Sequence, residues 1–157
     1  MSDDAQGAFE VGLAALRRKE RTRAELADLL ARRGFDAGEV ESALARLVDA
    51  AELDDERFAN RFAEDKRELG GWGAERIREA LAARRVPEAL IDAALEGDSQ
   101  AAQLERARRL LARRAPPLAD DSDRARALGF LTRRGYGYEV AYEAVRAAAR
   151  ELARPPA

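Results

Sequence analysis

The chain has 157 residues, enough for one domain or a short array of small modules with an ordinary core. It contains no cysteine and no histidine, which excludes disulfides, thiolate chemistry, zinc ribbons and the Ser-His-Asp and Cys-His catalytic arrangements. The net charge of −2 hides an asymmetry: residues 1–98 carry 16 Lys/Arg against 23 Asp/Glu and residues 99–157 carry 12 against 7, so only the C-terminal third suits an anionic partner.

No apolar run approaches a membrane span, and the start "MSDDAQGAFE" lacks a basic stretch before a greasy one. The expectation is a soluble cytoplasmic protein that meets no membrane. Apolar residues recur at intervals of three and four, and no segment alternates as a strand does, so an all-α fold of nine helices is predicted.

Thr22 followed by Glu25 reads as a capping box opening a helix over about 23–33, which Gly34 stops. Asp36 with Glu39 opens the next, whose Val40, Leu44, Leu47 and Val48 form one apolar stripe. A longer helix is predicted from Asp54 to about Leu69, with Phe58, Ala59, Phe62 and Leu69 as its core face and Arg57, Arg61, Glu64 and Glu68 on the solvated one. "GGWG" breaks it; Trp72 there is either an exposed anchor or a staple between two helices. Further helices follow from Ala74 to Arg84 and from Pro87 through Leu90, Ile91 and Leu95. Asp98 or Ser99 opens another, "APPLADD" ends it, and helices near 122–134 and 138–152 close the count, with "ARPPA" expected to fray.

The string "LLARRGF" at 29–35 returns as "ALAARRV" at 80–86 and "FLTRRGY" at 130–136. Leu30, Leu81 and Leu131 correspond, as do Phe35, Val86 and Tyr136, at offsets of 51 and 50 residues. This periodicity predicts three tandem three-helix repeats, at 8–52, 53–97 and 98–153, stacked into an elongated, curved body because one triplet alone buries too little. Each middle helix ends in paired arginines, Arg32/Arg33, Arg84/Arg85 and Arg133/Arg134. Two readings stand: cations offsetting the helix dipole, worth about 0.3–1 kcal/mol, or a basic row facing a periodic partner. Tyr136 is read as core and Tyr138 with Tyr142 as a surface pair.

Asp54 and Asp55 are neighbours on a helix and point about 100° apart, so N-capping explains them better than a metal site does. The Gly-rich "GGWG" is too short for a phosphate loop and lacks its lysine. No catalytic group, metal or cofactor is expected.

"LDDERFANRF" followed by "GGWGAERIREAL" and preceded by "RTRAEL" resembles the RecX family of bacterial recombination regulators. The matching positions are Asp54, Asp55, Arg57, Phe58, Ala59, Phe62, Gly73, Arg76, Ile77 and Leu81, with Arg67 at a basic position between them; the family has a glycine where this chain has Arg85. The resemblance spans about 13–152. It implies an all-α fold of tandem triplets and a non-enzymatic modulator of DNA repair, recombination and the SOS response; the chain is expected to be a monomer. Such a protein binds the RecA recombinase filament on DNA and limits filament growth, ATP hydrolysis, strand exchange and co-protease activity. Arg57, Arg67, Arg76, Arg84, Arg85, Arg133 and Arg134 are then the candidate contacts for filament or DNA, and the remaining motif residues are mainly structural. The rival reading is a direct DNA-binding helical module, since small helical triplets include helix-turn-helix readers.

Overall fold

Side-chain caps mark where several of the helices begin. The Thr22 side chain accepts from the Glu25 amide at 3.2 Å and the Glu25 carboxylate accepts from the Thr22 amide at 2.9 Å, a reciprocal box. Asp36 and Ser99 do the same one-sidedly, accepting from Glu39 and Ala102. A computed structural model describes residues 3–155, so the last two residues of the "ARPPA" tail lie outside.

The described residues form nine α-helices and no strand: α1 Asp3–Arg18, α2 Arg23–Arg32, α3 Ala37–Asp49, α4 Asp55–Glu68, α5 Ala74–Ala83, α6 Glu88–Leu95, α7 Gln100–Arg114, α8 Asp121–Arg133 and α9 Tyr138–Ala153. Two starts differ slightly from expectation. Asp120, not Ser122, caps α8 by accepting from Asp123, and Pro87 stands just before α6, its carbonyl receiving the Ile91 amide.

Packing divides the chain into two compact units. The first runs through Arg61 and takes in Leu81–Ala94; the second takes Phe62–Ala80 and everything from Leu95. The middle triplet therefore contributes to both, the division passing within α4 and within α5.

In the first unit α1, α2 and α3 pack on one another around Leu26, Leu30, Leu44 and Leu47. The buried face of α1 is Ala5, Ala8, Gly12 and Ala15, all small, and this allows α3 to approach closely. A methyl at Gly12 would stand 2.9 Å from Leu47 Cδ1. Phe58, Ala59, Leu81, Val86 and Ile91 are buried as well.

In the second unit α9 packs on α7 and α8 around Leu111, Leu131, Tyr136, Val140 and Val145. Tyr136 is 1% exposed, the core position expected of it. Leu69 is not core: it is 87% exposed. The turn after α4 explains this, since Trp72 folds back to donate its amide to Lys66 O at 2.9 Å and sets its ring edge-on to Phe62 with centroids 6.2 Å apart. Phe62 itself is half-buried.

Candidate partner-binding surfaces

The thrice-written string is a helix stop. Phe35, Val86 and Tyr136 donate their amides to the carbonyls of Leu30, Leu81 and Leu131 at 3.3, 3.1 and 3.2 Å, and Gly34, Arg85 and Gly135 donate to Ala31, Ala82 and Thr132. This bond pair is the Schellman motif, which needs a left-handed residue after the cap and an apolar contact beyond it. The left-handed residues are Gly34, Arg85 and Gly135, with φ of +94°, +57° and +97°. Arg85 thus occupies a backbone position that favours glycine, which accounts for the glycine in the family pattern. It also shifts the register of the arginines. Arg33, Arg84 and Arg134 are equivalent, and Arg85 falls opposite the two glycines.

Two of the three equivalent arginines are used inside the fold. Arg84 forks onto Glu25, with Nε to Oε2 at 3.2 Å and Nη2 to Oε1 at 2.8 Å, reaches Glu20 O at 3.3 Å, and lies 4.4 Å over the Phe58 ring. Its carbonyl accepts from the Thr22 hydroxyl at 2.9 Å. Arg134 donates to Gly70 O at 3.1 Å and its carbonyl accepts from the Gly73 amide at 2.9 Å. In each case the end of one middle helix is tied to the start of the preceding one, Arg84 to α2 and Arg134 to α5. Thr22 and Gly73 are the matching donors, through a hydroxyl and an amide.

The second joint is the tighter. A Cβ on Gly73 would stand 2.3 Å from Gly135 O, and one on Gly135 would stand 2.3 Å from Arg76 Cβ. The two backbones touch there, and the Glu75 amide donates to Gly135 O at 3.1 Å.

The other candidate arginines divide between internal and outward roles. Arg57 donates to Ala51 O at 3.0 Å, Arg85 pairs with Asp28, and Arg76 lies 3.9 Å over the Trp72 ring. Arg67 stands 3.4 Å from Asp98, whose side chain is only 2% exposed and also receives both Nη atoms of Arg106 at 3.0 and 2.8 Å. Arg106 Nε donates to Trp72 O and the Tyr136 hydroxyl to Gly71 O, so Trp72 and the turn before it are held from three directions. Trp72 is a half-buried staple. Arg133 is exposed, as are Arg32 and Arg33.

The acidic pair behaves as caps and ties. Asp54 accepts from the Arg57 amide at 3.0 Å, closing the first turn of α4, and Asp55 accepts from the Arg23 amide at 2.8 Å, binding α4 to the start of α2. Burial raises the Asp55 pKa against the lowering effect of Arg23. Burial also works to raise Glu25, but its bonds to Arg84 and Thr22 outweigh it and hold the carboxyl below the ordinary range. Burial pushes the Tyr136 hydroxyl up. Among the described residues no three acids converge in a way that could hold a metal ion, and no helix is long and apolar enough to cross a membrane.

Sequence reasoning missed Glu25 as the partner of Arg84 and Asp98 as a buried hub; Glu25 lies 59 residues from Arg84, and Asp98 draws in Arg67 from another helix beside its nearer partner Arg106. It also missed the groove between α8 and α9, about 570 Å³, although it had marked Tyr138 and Tyr142 on its rim.

The model of the RecX first three-helix domain matches residues 8–47, and that of the RecX second three-helix domain matches residues 54–95. The regulatory protein RecX of Trichlorobacter lovleyi is 35% identical over 140 residues, covering 86% of this chain and 91% of that protein. The one from Halorhodospira halophila is 38% identical over 149 residues, covering 94% and 91%. The crystal structure of RecX from Lactobacillus salivarius superposes with a TM-score of 0.84 at 18% identity, over 96% of this chain and 99% of that one, and so shares the fold. With both family domains matched in tandem and close relatives aligned along most of its length, the chain belongs to the RecX family.

Proposed function

We propose that this protein restrains a RecA-type recombinase by binding its filament on DNA, acting by occupancy and not by catalysis. The observation that carries the reading is family membership extending through both three-helix domains. A second feature is consistent with it: the same helix stop recurs at intervals of 51 and 50 residues, so equivalent elements are offered more than once to a partner that is itself periodic. The three-triplet division of the chain is proposed on the same basis.

Arg84 and Arg134 hold the fold together, so their replacement tests stability before it tests binding. Arg133, Arg32 and Arg33 are exposed, and Arg57, Arg67, Arg76 and Arg85 keep part of their surface in solvent. The proposed contacts are drawn from these groups, with Arg32, Arg33, Arg57 and Arg85 in the first unit and Arg67, Arg76 and Arg133 in the second. DNA-dependent ATP hydrolysis by RecA, titrated with wild-type protein and with the Arg133→Gln and Arg32→Gln/Arg33→Gln variants, tests the reading. Inhibition by the wild type, weakened in variants of unchanged melting temperature, is expected. A wild-type protein that leaves ATP hydrolysis and filament length untouched would overturn it.

A further inference from the structure

One face of α9 carries Tyr138, Tyr142, Arg146 and Arg150, four residues apart each time, so they stack along the helix at a rise of about 6 Å per step. The two tyrosine rings lie nearly parallel, with centroids 6.0 Å apart and an interplanar angle of 19°, and the residues are 65% and 48% exposed. Neither ring is needed by the core, which is filled from α9 by Val140, Ala141, Ala144 and Val145. Alongside runs the α8–α9 groove, whose apolar floor includes Leu128, Val145 and Ala149 and whose rim carries Arg124, Arg146 and Arg150 against the single acid Asp121.

Exposed aromatic pairs with arginines in line on a basic part of a chain are the combination that single strands use. Unpaired bases stack on aromatic rings, and cationic side chains follow the phosphates. The geometry points to a binding site for single-stranded nucleic acid on this face, with Tyr138 and Tyr142 extending the base stack and Arg146 and Arg150 holding the backbone. Arg124 flanks the strand from α8. Arg124 stands 3.3 Å from Asp121 and Arg146 stands 3.7 Å from Glu143, both at the surface, where such pairs are worth little and a phosphate can displace the carboxylate. A duplex offers no free base to the tyrosines, and an acidic peptide offers charge without planar rings, so the single strand fits best.

This inference goes beyond the recombinase reading and is tested without any recombinase present. Fluorescence anisotropy with labelled oligothymidylate, an abasic oligonucleotide of equal length, a duplex and polyglutamate compares four probes on the purified chain. The oligothymidylate is expected to bind most tightly. Tyr138→Ala/Tyr142→Ala should weaken it about tenfold or more while leaving the abasic probe and the melting temperature unchanged. Tyr138→Phe/Tyr142→Phe should retain binding, because stacking needs the ring and not the hydroxyl. Arg146→Gln/Arg150→Gln should weaken all nucleic-acid probes and reduce the salt slope by roughly 1–2 units. No binding by the wild type, undiminished binding by the double alanine variant, or polyglutamate held as tightly as the oligonucleotide would each overturn the proposal. Intact oligonucleotide binding with no effect on RecA would count against the recombinase reading alone.

Discussion

The Thr22 hydroxyl donates to the carbonyl oxygen of Arg84 at 2.9 Å, joining the start of α2 to the end of α5 across 62 residues of chain. The Thr22 hydroxyl oxygen in turn accepts from the Glu25 amide, and Thr22 is fully buried. One hydroxyl therefore serves a helix cap and an inter-repeat joint together.

Thr22→Val keeps the volume but leaves the Glu25 amide and the Arg84 carbonyl without this partner. It is expected to lower unfolding free energy by about 2–3 kcal/mol, and Thr22→Ser, which keeps the oxygen, by less than about 1 kcal/mol. Urea denaturation of the two variants separates the lost bonds from the lost methyl.

Gly34, Arg85 and Gly135 share one backbone conformation in three surroundings, so substitution there should give three different results. Gly34→Ala meets open space and costs about 1 kcal/mol for the left-handed backbone alone. Gly135→Ala adds a collision with Arg76 and should cost about 3 kcal/mol or more. Arg85→Gly relieves the strain at φ +57° and gives up only an exposed pair with Asp28, so it should stabilise by about 0.5 kcal/mol. Thermal melts of the three proteins check the order.

The Glu25–Arg84 pair sets a pH dependence. Because Glu25 is held below its ordinary pKa in the folded state, its contribution is fully present above the unfolded value and is lost as pH falls through the folded one. Wild type should exceed Glu25→Gln by about 1 kcal/mol at neutral pH. That gap should close in the acid range below ordinary glutamate titration, as measured by denaturation at a series of pH values.

Phe58 and Leu69 were expected on one face, yet the first is buried and the second lies in solvent, 4% and 87% exposed. Phe58→Ala should cost about 3–5 kcal/mol, part of it by removing the ring beneath Arg84. Leu69→Ser should change stability by less than about 0.5 kcal/mol. Calorimetry on both decides.

Helix content, the caps at Thr22, Asp36 and Ser99, the core role of Tyr136 and the exposure of Tyr138 and Tyr142 were all legible in the sequence. They rest on interactions within a few residues, which local pattern records. The recurring string was legible as a repeat, and Gly34 marked the helix stop in its first copy. Family membership was legible in the dense motif from Asp54 to Leu81, where most of the matching residues are caps, core or joint.

The destination of the arginines was decided only by tertiary structure. Nothing near Arg84 in sequence indicates Glu25, and nothing near Arg67 indicates Asp98, since each of these pairings exists only once separate helices have docked. Leu69 continues the apolar spacing of α4 yet lies in solvent, just past the last residue of that helix, where the chain turns back toward Lys66. An arginine on a helix end carries the same charge whether it meets solvent, a partner or the preceding repeat; which one it meets is set by what the fold brings within hydrogen-bonding reach.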